Sequence, residues 1–426
     1  MITDNPTSYR RYLLGVLLVI LACNNLDRIA LGILLQDIKV DLNVSDTQLG
    51  LLSGIAFALF YSVMGIPIAR WADRGNRVTI ISLTTAVWSV AVALCGAAGS
   101  FVQLLLIRIG VAVGEAGCIP PAHSLISDYF ARAERPRALG FYMLGAPLSM
   151  VVGYFLSGWL NTFFGWRVTF VVLGLPGLAL AMLALVSLRE PRRAQPWARS
   201  AEMTSAQPPR LKEVAWLLWR NATFRHLLFC FAVLSFFSNG IAQWQPAFFM
   251  RSYGLSTGEL GTWMAVTYGL CGAAGTYAGG ALASRRAAGN ERLQLQAMAV
   301  ACCGFGLVLA CVYLSSRHWI AFGLIGLAAV GGGAINGPLF ATIQAIVPQH
   351  MRAVSIALIY LFANLIGMGL GPLIAGALSD VFRPWAGEES LRYALLALCP
   401  GYVWAAWHLW HGSRTVGRDL EVLSVE

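Results

Sequence analysis

The sequence predicts an all-α membrane protein, with twelve transmembrane helices arranged as two pseudo-symmetric six-helix bundles. Three observations predict it: apolar windows of bilayer length recur twelve times, basic residues cluster in the short stretches between them, and the second half echoes the first. Of 426 residues, 58% are hydrophobic and 12% charged, with a mean hydropathy of +0.66. Soluble domains carry about 25% charged residues.

About 20 apolar residues span a bilayer. Such windows lie near residues 12–36, 48–69, 78–98, 101–127, 137–160 and 167–188, and again near 226–250, 258–283, 293–314, 318–347, 352–379 and 392–411. Between the two sets runs an Arg- and Pro-rich stretch. The expected organisation is a bundle over 1–188, a cytoplasmic linker over 189–225 and a second bundle over 226–426. Leu211 to Arg220 (LKEVAWLLWR) has the composition of a helix lying on the membrane surface.

The net charge of +10 would suggest nucleic acid in a soluble protein. Here the arginines fall in alternate loops: Arg70, Arg74 and Arg77, then Arg132, Arg135 and Arg137, then the linker, then Arg285, Arg286 and Arg292. That is the positive-inside pattern. It predicts a multi-pass cell-membrane protein (the inner membrane, for a bacterial chain) with both termini cytoplasmic, and no nucleic-acid partner. The opposite loops hold Asp37, Asp41 and Asp46, or Glu388 and Glu389. The polar start, MITDNPTSYRR, leads into a full-length span and not a short cleavable one. Nine cysteines lie almost all within apolar windows, and Cys302 and Cys303 have no ligand set at metal spacing. No metal and no cofactor is expected.

After the fourth window the chain reads ERPRALGFYMLGAPLSMVVGYFLSG; after the tenth it reads VPQHMRAVSIALIYLFANLIGMGLGPLIAG. A repeat at half the chain length implies two bundles related by a pseudo-two-fold axis, with a substrate site between them.

The chemistry concentrates in span 4, LLLIRIGVAVGEAG (Leu104 to Gly117). Seven residues advance a helix by about two turns and 10.5 Å, so Arg108 and Glu115 share a face at two depths. Across all span interiors, only Asp27, Arg28, Arg108 and Glu115 are charged. Unpaired, the four would cost on the order of 10 kcal/mol on insertion scales, so they must compensate one another. With span 1 running outward and span 4 inward, Asp27 pairs reasonably with Arg108. That leaves Glu115 deeper and without an obvious cation, the position of a proton carrier. Asp27 joins it as a second coupling candidate. The same residues have a purely architectural reading, in which buried ion pairs only fix the packing of helices 1 and 4. His123, after Pro120 and Pro121, reads as a polar residue near the cytoplasmic mouth.

GIPIARWADRGNR (Gly65 to Arg77), the R-x-x-x-x-x-G-E-A-G run of span 4 and the Gly-Ala-Pro run of span 5 (Gly145, Pro147, Gly153) together resemble the major facilitator superfamily over the whole chain. Ala69 stands where the loop motif usually has Gly. A weaker copy, GGALASRR, follows span 8. NNLDR (Asn24 to Arg28) with Arg108 and Glu115 is similar to the spinster group of lysolipid and sphingolipid transporters, although organic-anion carriers of the superfamily also use an Asp-Arg pair. The resemblance implies that Asp73, Arg74 and Arg77 form a conformational latch; their bland reading is positive-inside charge.

The second half offers amides and aromatics: Asn239, Gln243 and Trp244 in span 7, Tyr268 in span 8, Asn336 and Gln344 in span 10, Tyr360 and Asn364 in span 11. A cavity charged on one side and apolar on the other suits an amphipathic molecule, head group at Arg28 and Arg108, tail against Asn239, Gln243, Trp244, Asn336, Tyr360 and Asn364. The expected function is a proton-coupled secondary transporter of an anionic or zwitterionic lipid, such as a lysophospholipid or sphingoid phosphate, acting by alternating access as a monomer among membrane lipids. The alternative is a proton-coupled carrier of a small organic anion, or a drug exporter. The span 5 glycine run, which resembles one associated with antiporters, keeps exchange open. An enzyme is not expected, since the six scattered histidines form no metal cluster, and no Walker G-x-x-x-x-G-K-[ST] is present for ATP hydrolysis. A channel would want rings of like charge or a filter motif.

Overall fold

The computed structural model describes residues 7–131, 133–191, 216, 218–286, 290–347 and 351–425, and every regular element among them is helical. Nine helical stretches among the described residues are long and apolar enough to cross a membrane; two of these, Arg135–Ser187 and Leu358–Glu421, run to 53 and 64 residues. At 1.5 Å per residue each of those two exceeds the roughly 30 Å hydrocarbon layer more than twice over. With an interrupted helix over Thr257–Arg286, they account for the twelve expected spans.

The chain divides into two compact units, and the division does not follow the chain. Unit 1 comprises Met1–Val44, Ala56–Gln207 and Ser256–Thr262; unit 2 comprises Ser45–Ile55, Pro208–Leu255 and Trp263–Glu426. A short piece of each half belongs to the unit built mainly from the other. The expected surface helix near Leu211 to Arg220 falls largely outside the described residues.

Unit 1 contains α1 (Thr7–Leu42), α3 (Ile55–Arg74), α4 (Arg77–Cys95), α5 (Phe101–Glu115), α6 (Ile119–Tyr129), α7 (Arg135–Met143) and α8 (Gly145–Ser187). Side-chain caps begin two of them: Asn76 accepts from the Thr79 amide at 3.1 Å and Ser100 from Gln103 at 3.3 Å, satisfying donors that a helix start leaves open. Span 4 is not one helix. α5 stops at Glu115, and α6 restarts with Pro120 and Pro121 in its first turn, where a missing N–H costs nothing. Spans 5 and 6 merge across Gly165, whose φ of +78° and ψ of 168° only glycine adopts freely. α5 lies against α4 so closely that a Cβ on Gly114 would stand 2.6 Å from the Trp88 backbone nitrogen, which is why small residues flank the ionisable pair of span 4.

Unit 2 contains α2 (Asp46–Ser53), α9 (Ala222–Tyr253), the last two residues of α10 (Thr257–Met264), whose start belongs to unit 1, α11 (Gly272–Arg286), α12 (Glu291–Leu314), α13 (His318–Ala345), α14 (Arg352–Phe362), α15 (Gly371–Ala386), α16 (Ser390–Leu398) and α17 (Gly401–Val425). Two π-helical turns, Ala265–Cys271 and Ala363–Leu370, interrupt spans 8 and 11. Such turns are rare and recur at functional sites; Tyr268 and Asn364 sit in them.

α2 is held in unit 2 by charge. Its first amides, Asp46 and Thr47, donate to the Asp380 carboxylate of α15 at 3.1 and 2.7 Å, a favourable place for an anion at a helix start. Arg251 of α9 then grips the Asp46 carboxylate with two bonds of 2.7 Å, and Ser379 donates to it at 2.7 Å. Read from sequence, Asp46 is one of the outer-loop acids that mark topology. The fold adds that it is buried: Asp46 is 1% exposed and its partner Arg251 4% at the side chain. α2 brings this span-end acid into the interior of unit 2.

Candidate ion-coupling and substrate site

α1, α3 and α5 of unit 1 bring the four predicted charges together. Arg108 Nη1 donates to Asp27 Oδ2 at 2.5 Å, and both side chains are 1–2% exposed. This is the pair the antiparallel course of spans 1 and 4 suggests. Glu115, however, is not without a cation. Arg28 Nε donates to Glu115 Oε2 at 2.8 Å, and Arg28 Nη2 contacts the same oxygen. The sequence reading left Glu115 unmatched because Arg28 comes one residue later on α1, farther from Glu115 by rise alone. Helical side chains lean toward the helix N-terminus, and the long arginine stem returns the guanidinium to the level of Glu115.

The two pairs differ in access. Arg28 is 23% exposed at the side chain, while Glu115 is fully buried. The Arg28 guanidinium carbon lies 4.6 Å from the centroid of Phe57 and 5.0 Å from that of Tyr61 on α3, and those rings stack at 5.7 Å. Sequence reasoning missed both aromatics; an aromatic pair four residues apart in span 2 is the signal that was available. Several buried polar atoms here have no hydrogen-bond partner: both amide atoms of Asn24, Asp27 Oδ1, Arg108 Nε and Glu115 Oε1. Unpaired polar atoms inside a fold are costly; the Asp27 and Glu115 carboxyls also interact with each other, so the two ion pairs form one coupled cluster.

At the other end of unit 1, Arg77 opens α4 fully buried. Its amide and guanidinium bind Glu190, with Nη2 2.5 Å from Oε1, and the guanidinium also reaches Asp128 at 2.6 Å and Ser124 at 3.0 Å. Asp73 and Arg74 are exposed at the end of α3. Sequence reasoning missed Glu190 and Asp128, which sit just past the ends of apolar windows where charge is unremarkable. Removing one partner of a buried pair typically costs 3–5 kcal/mol. Because Asp128 still pairs with Arg77, Glu190→Gln is expected to destabilise unit 1 by about 1–3 kcal/mol, read as a lowered midpoint of thermal unfolding in detergent, whereas Glu134→Gln on the surface should change little. Arg10 bonds Glu134 and holds its carboxyl below its ordinary range.

In unit 2 the predicted tail contacts divide. Trp244 does not line a site: it is 0% exposed and its indole donates to Pro372 O at 2.8 Å, because its face of α9 packs on α15. Asn239 is satisfied within its own helix, donating to Ser235 O at 2.8 Å. Gln243 keeps a buried Nε2 without a partner, Tyr360 is 46% exposed beside Phe231 and Phe340, and Asn364 is half-buried. Tyr268 bonds Gln245, which also bonds Tyr313 at 3.0 Å. The side chain of Asn336 lies outside those described.

Residues 17–372 match the Major Facilitator Superfamily model. An MFS-type efflux pump of Mycolicibacterium smegmatis is 31% identical over 90% of this chain and 88% of its own length. A probable L-galactonate transporter of Escherichia coli is 27% identical over 88% of this chain and 82% of its own. Among solved structures, a bacterial homolog of the human lysosomal transporter Spinster, in an inward-facing and unoccupied conformation, superposes with a TM-score of 0.85 at 30% identity, covering 97% of this chain and 99% of that one. The chain is a transporter and not an enzyme: it belongs to the Major Facilitator Superfamily and within it resembles the spinster proteins.

Proposed function

We propose that the protein is a proton-coupled secondary transporter of an amphipathic lipid with an anionic or zwitterionic head group, of the lysophospholipid or sphingoid-phosphate class, working by alternating access. The observation that supports this most is the asymmetry of the two ion pairs. Asp27–Arg108 is sealed, whereas Arg28 is partly exposed, lies on two aromatic faces and is ion-paired with Glu115. An incoming phosphate or carboxylate competes with Glu115 for Arg28. The displaced carboxylate is then a buried bare charge, which protonation removes.

Both termini and the linker are assigned to the cytoplasmic side, where the loop arginines cluster. The chain's division at 1–188, 189–225 and 226–426 remains our assignment of the two halves and their connector, with Asp73, Arg74 and Arg77 as the latch. A second reading is favoured by a specific likeness: the Escherichia coli relative is a probable L-galactonate transporter, and a small organic acid would meet the same guanidinium without needing an apolar wall.

Proteoliposomes separate these readings. Uptake of radiolabelled lysophosphatidate driven by an inside-alkaline pH gradient, together with counterflow without a gradient, is expected; uptake of galactonate alone would reject the lipid. Arg28→Lys keeps the charge but loses the planar fork that binds phosphate bidentately and stacks on rings. It should weaken lysophosphatidate binding roughly tenfold, about 1.4 kcal/mol, and unchanged affinity would show that Arg28 does not hold the head group.

A further inference from the structure

Glu115 Oε1, the Tyr142 hydroxyl and His123 Nε2 are all buried without a hydrogen-bond partner, and they follow one another from the ion-pair cluster toward the end of unit 1 where Tyr129 donates to Arg189 O at 2.8 Å. Glu115 ends α5; His123 lies in the first turns of α6, eight residues on; Tyr142, on α7, is 0% exposed. The His123 and Tyr142 rings meet edge to face, with centroids 5.5 Å apart. Between Glu115 and Tyr142 sits Cys118, which interacts with both. Tyr142 and Cys118 share a buried cluster with Leu13, Leu17, Leu21, Leu125 and Ile126. The Cys118 thiol is a weak hydrogen-bonding group, so its contact with Tyr142 leaves the hydroxyl able to take up and pass on a proton.

We propose that Tyr142 and His123 pass the proton between Glu115 and the Arg189 end of unit 1, an inference that rests on Glu115 being the proton carrier. In the releasing direction the Glu115 O–H bond breaks and the proton joins the Tyr142 oxygen, while the Tyr142 O–H proton passes to the lone pair of His123 Nε2. His123 must then begin as the Nδ1–H tautomer, and the imidazolium formed loses its Nδ1 proton to water at the mouth. Water carries the proton over any gap longer than a hydrogen bond. Loading runs the same steps backward. The other titratable or charged groups facing this row are Cys23, Asp27 and Arg28 of α1, Tyr61 of α3 and Arg108 of α5. Tyr142 and His123 are relay groups and leave the ion pairs intact.

A pH jump on purified protein needs no substrate. Proton uptake from pH 8.5 to 5.5, followed with pyranine by stopped flow, contains a component that Glu115→Gln removes. In Tyr142→Phe that component is expected to keep its amplitude and slow at least tenfold; His123→Gln should slow it comparably. Undiminished rates in both variants would overturn the relay while leaving Glu115 as the carrier. A wild-type trace identical to Glu115→Gln would instead overturn the carrier assignment and the relay with it. Lysophosphatidate binding serves as the control for structure: a tenfold slowing with unchanged binding supports the relay, and a parallel loss of binding in Tyr142→Phe rejects it.

Discussion

Glu115→Gln is expected to abolish the response of uptake to an imposed pH gradient while leaving downhill exchange partly intact. The glutamine keeps the length of the side chain and an oxygen that can still accept from Arg28, so the contact with the guanidinium survives as a neutral-acceptor hydrogen bond. What disappears is the capacity to alternate between a carboxylate that holds Arg28 and a neutral acid that releases it. Arg28 is then more available to an anion at every pH, and ligand binding should tighten or stay level. Gradient-driven accumulation falls to the level reached without a gradient. The measurement is paired: accumulation with an inside-alkaline gradient, and counterflow at equal pH. Full gradient-driven accumulation in the variant would remove Glu115 from the coupling scheme and leave Arg28–Glu115 as an architectural pair.

The second large effect is on affinity. With Asp27 and Glu115 ionised, the two pairs sum to no net charge, and an anion gains little by entering. Once the anion takes Arg28, Glu115 has lost its partner in a fully buried position, and a proton restores neutrality. Ligand and proton therefore bind with positive coupling, and linkage requires each to strengthen the other equally. Couplings of about 1–3 kcal/mol correspond to about 5- to 150-fold in affinity. Lysophosphatidate should bind about 5- to 150-fold more tightly at pH 5.5 than at pH 8, and Glu115→Gln should flatten the difference. A zwitterionic lysophosphatidylcholine should show a smaller one. Tighter binding at pH 8 would reject positive coupling and support exchange, the outcome that the glycine run of span 5 keeps open.

The twelve spans were legible because hydropathy and bilayer thickness act on every residue of a window, so the signal accumulates along the chain. Asp27, Arg28, Arg108 and Glu115 were legible for the opposite reason: a charge inside an apolar window is expensive enough to be conspicuous alone. The partner of Glu115 was not, because spacing along a helix places Cα atoms, whereas a guanidinium can reach more than a helical turn from its own. Asp46 reads from sequence only as an outer-loop charge, and Arg251, Glu190 and Asp128 draw no reading at all, because charge at a span end is unremarkable. Only the fold shows that α2 and the end of α8 turn such charges inward. Trp244 erred the other way, since an indole at mid-span suits a core as well as a binding wall, and its bond to Pro372 decides for the core. The break at Gly165 and the two π turns depend on local φ and ψ, to which hydropathy windows are blind.

The attachment of α2 to unit 2 has a consequence for biogenesis. Asp46 and Arg251 are 205 residues apart in sequence, and Asp380 is farther still. At about 5–20 residues per second, a nascent chain spends about 10–40 s with Asp46 made and Arg251 not yet made. Throughout that interval the α2 start has neither its buried cation nor its acidic cap, so it must wait in water or at the bilayer surface while the rest of its span inserts. The first half leaves the ribosome unfinished at this end, and it becomes complete only when the last spans arrive. Truncated chains ending before Arg251 should accordingly be cleaved by protease near Asp46, and chains extended past Asp380 should be protected there.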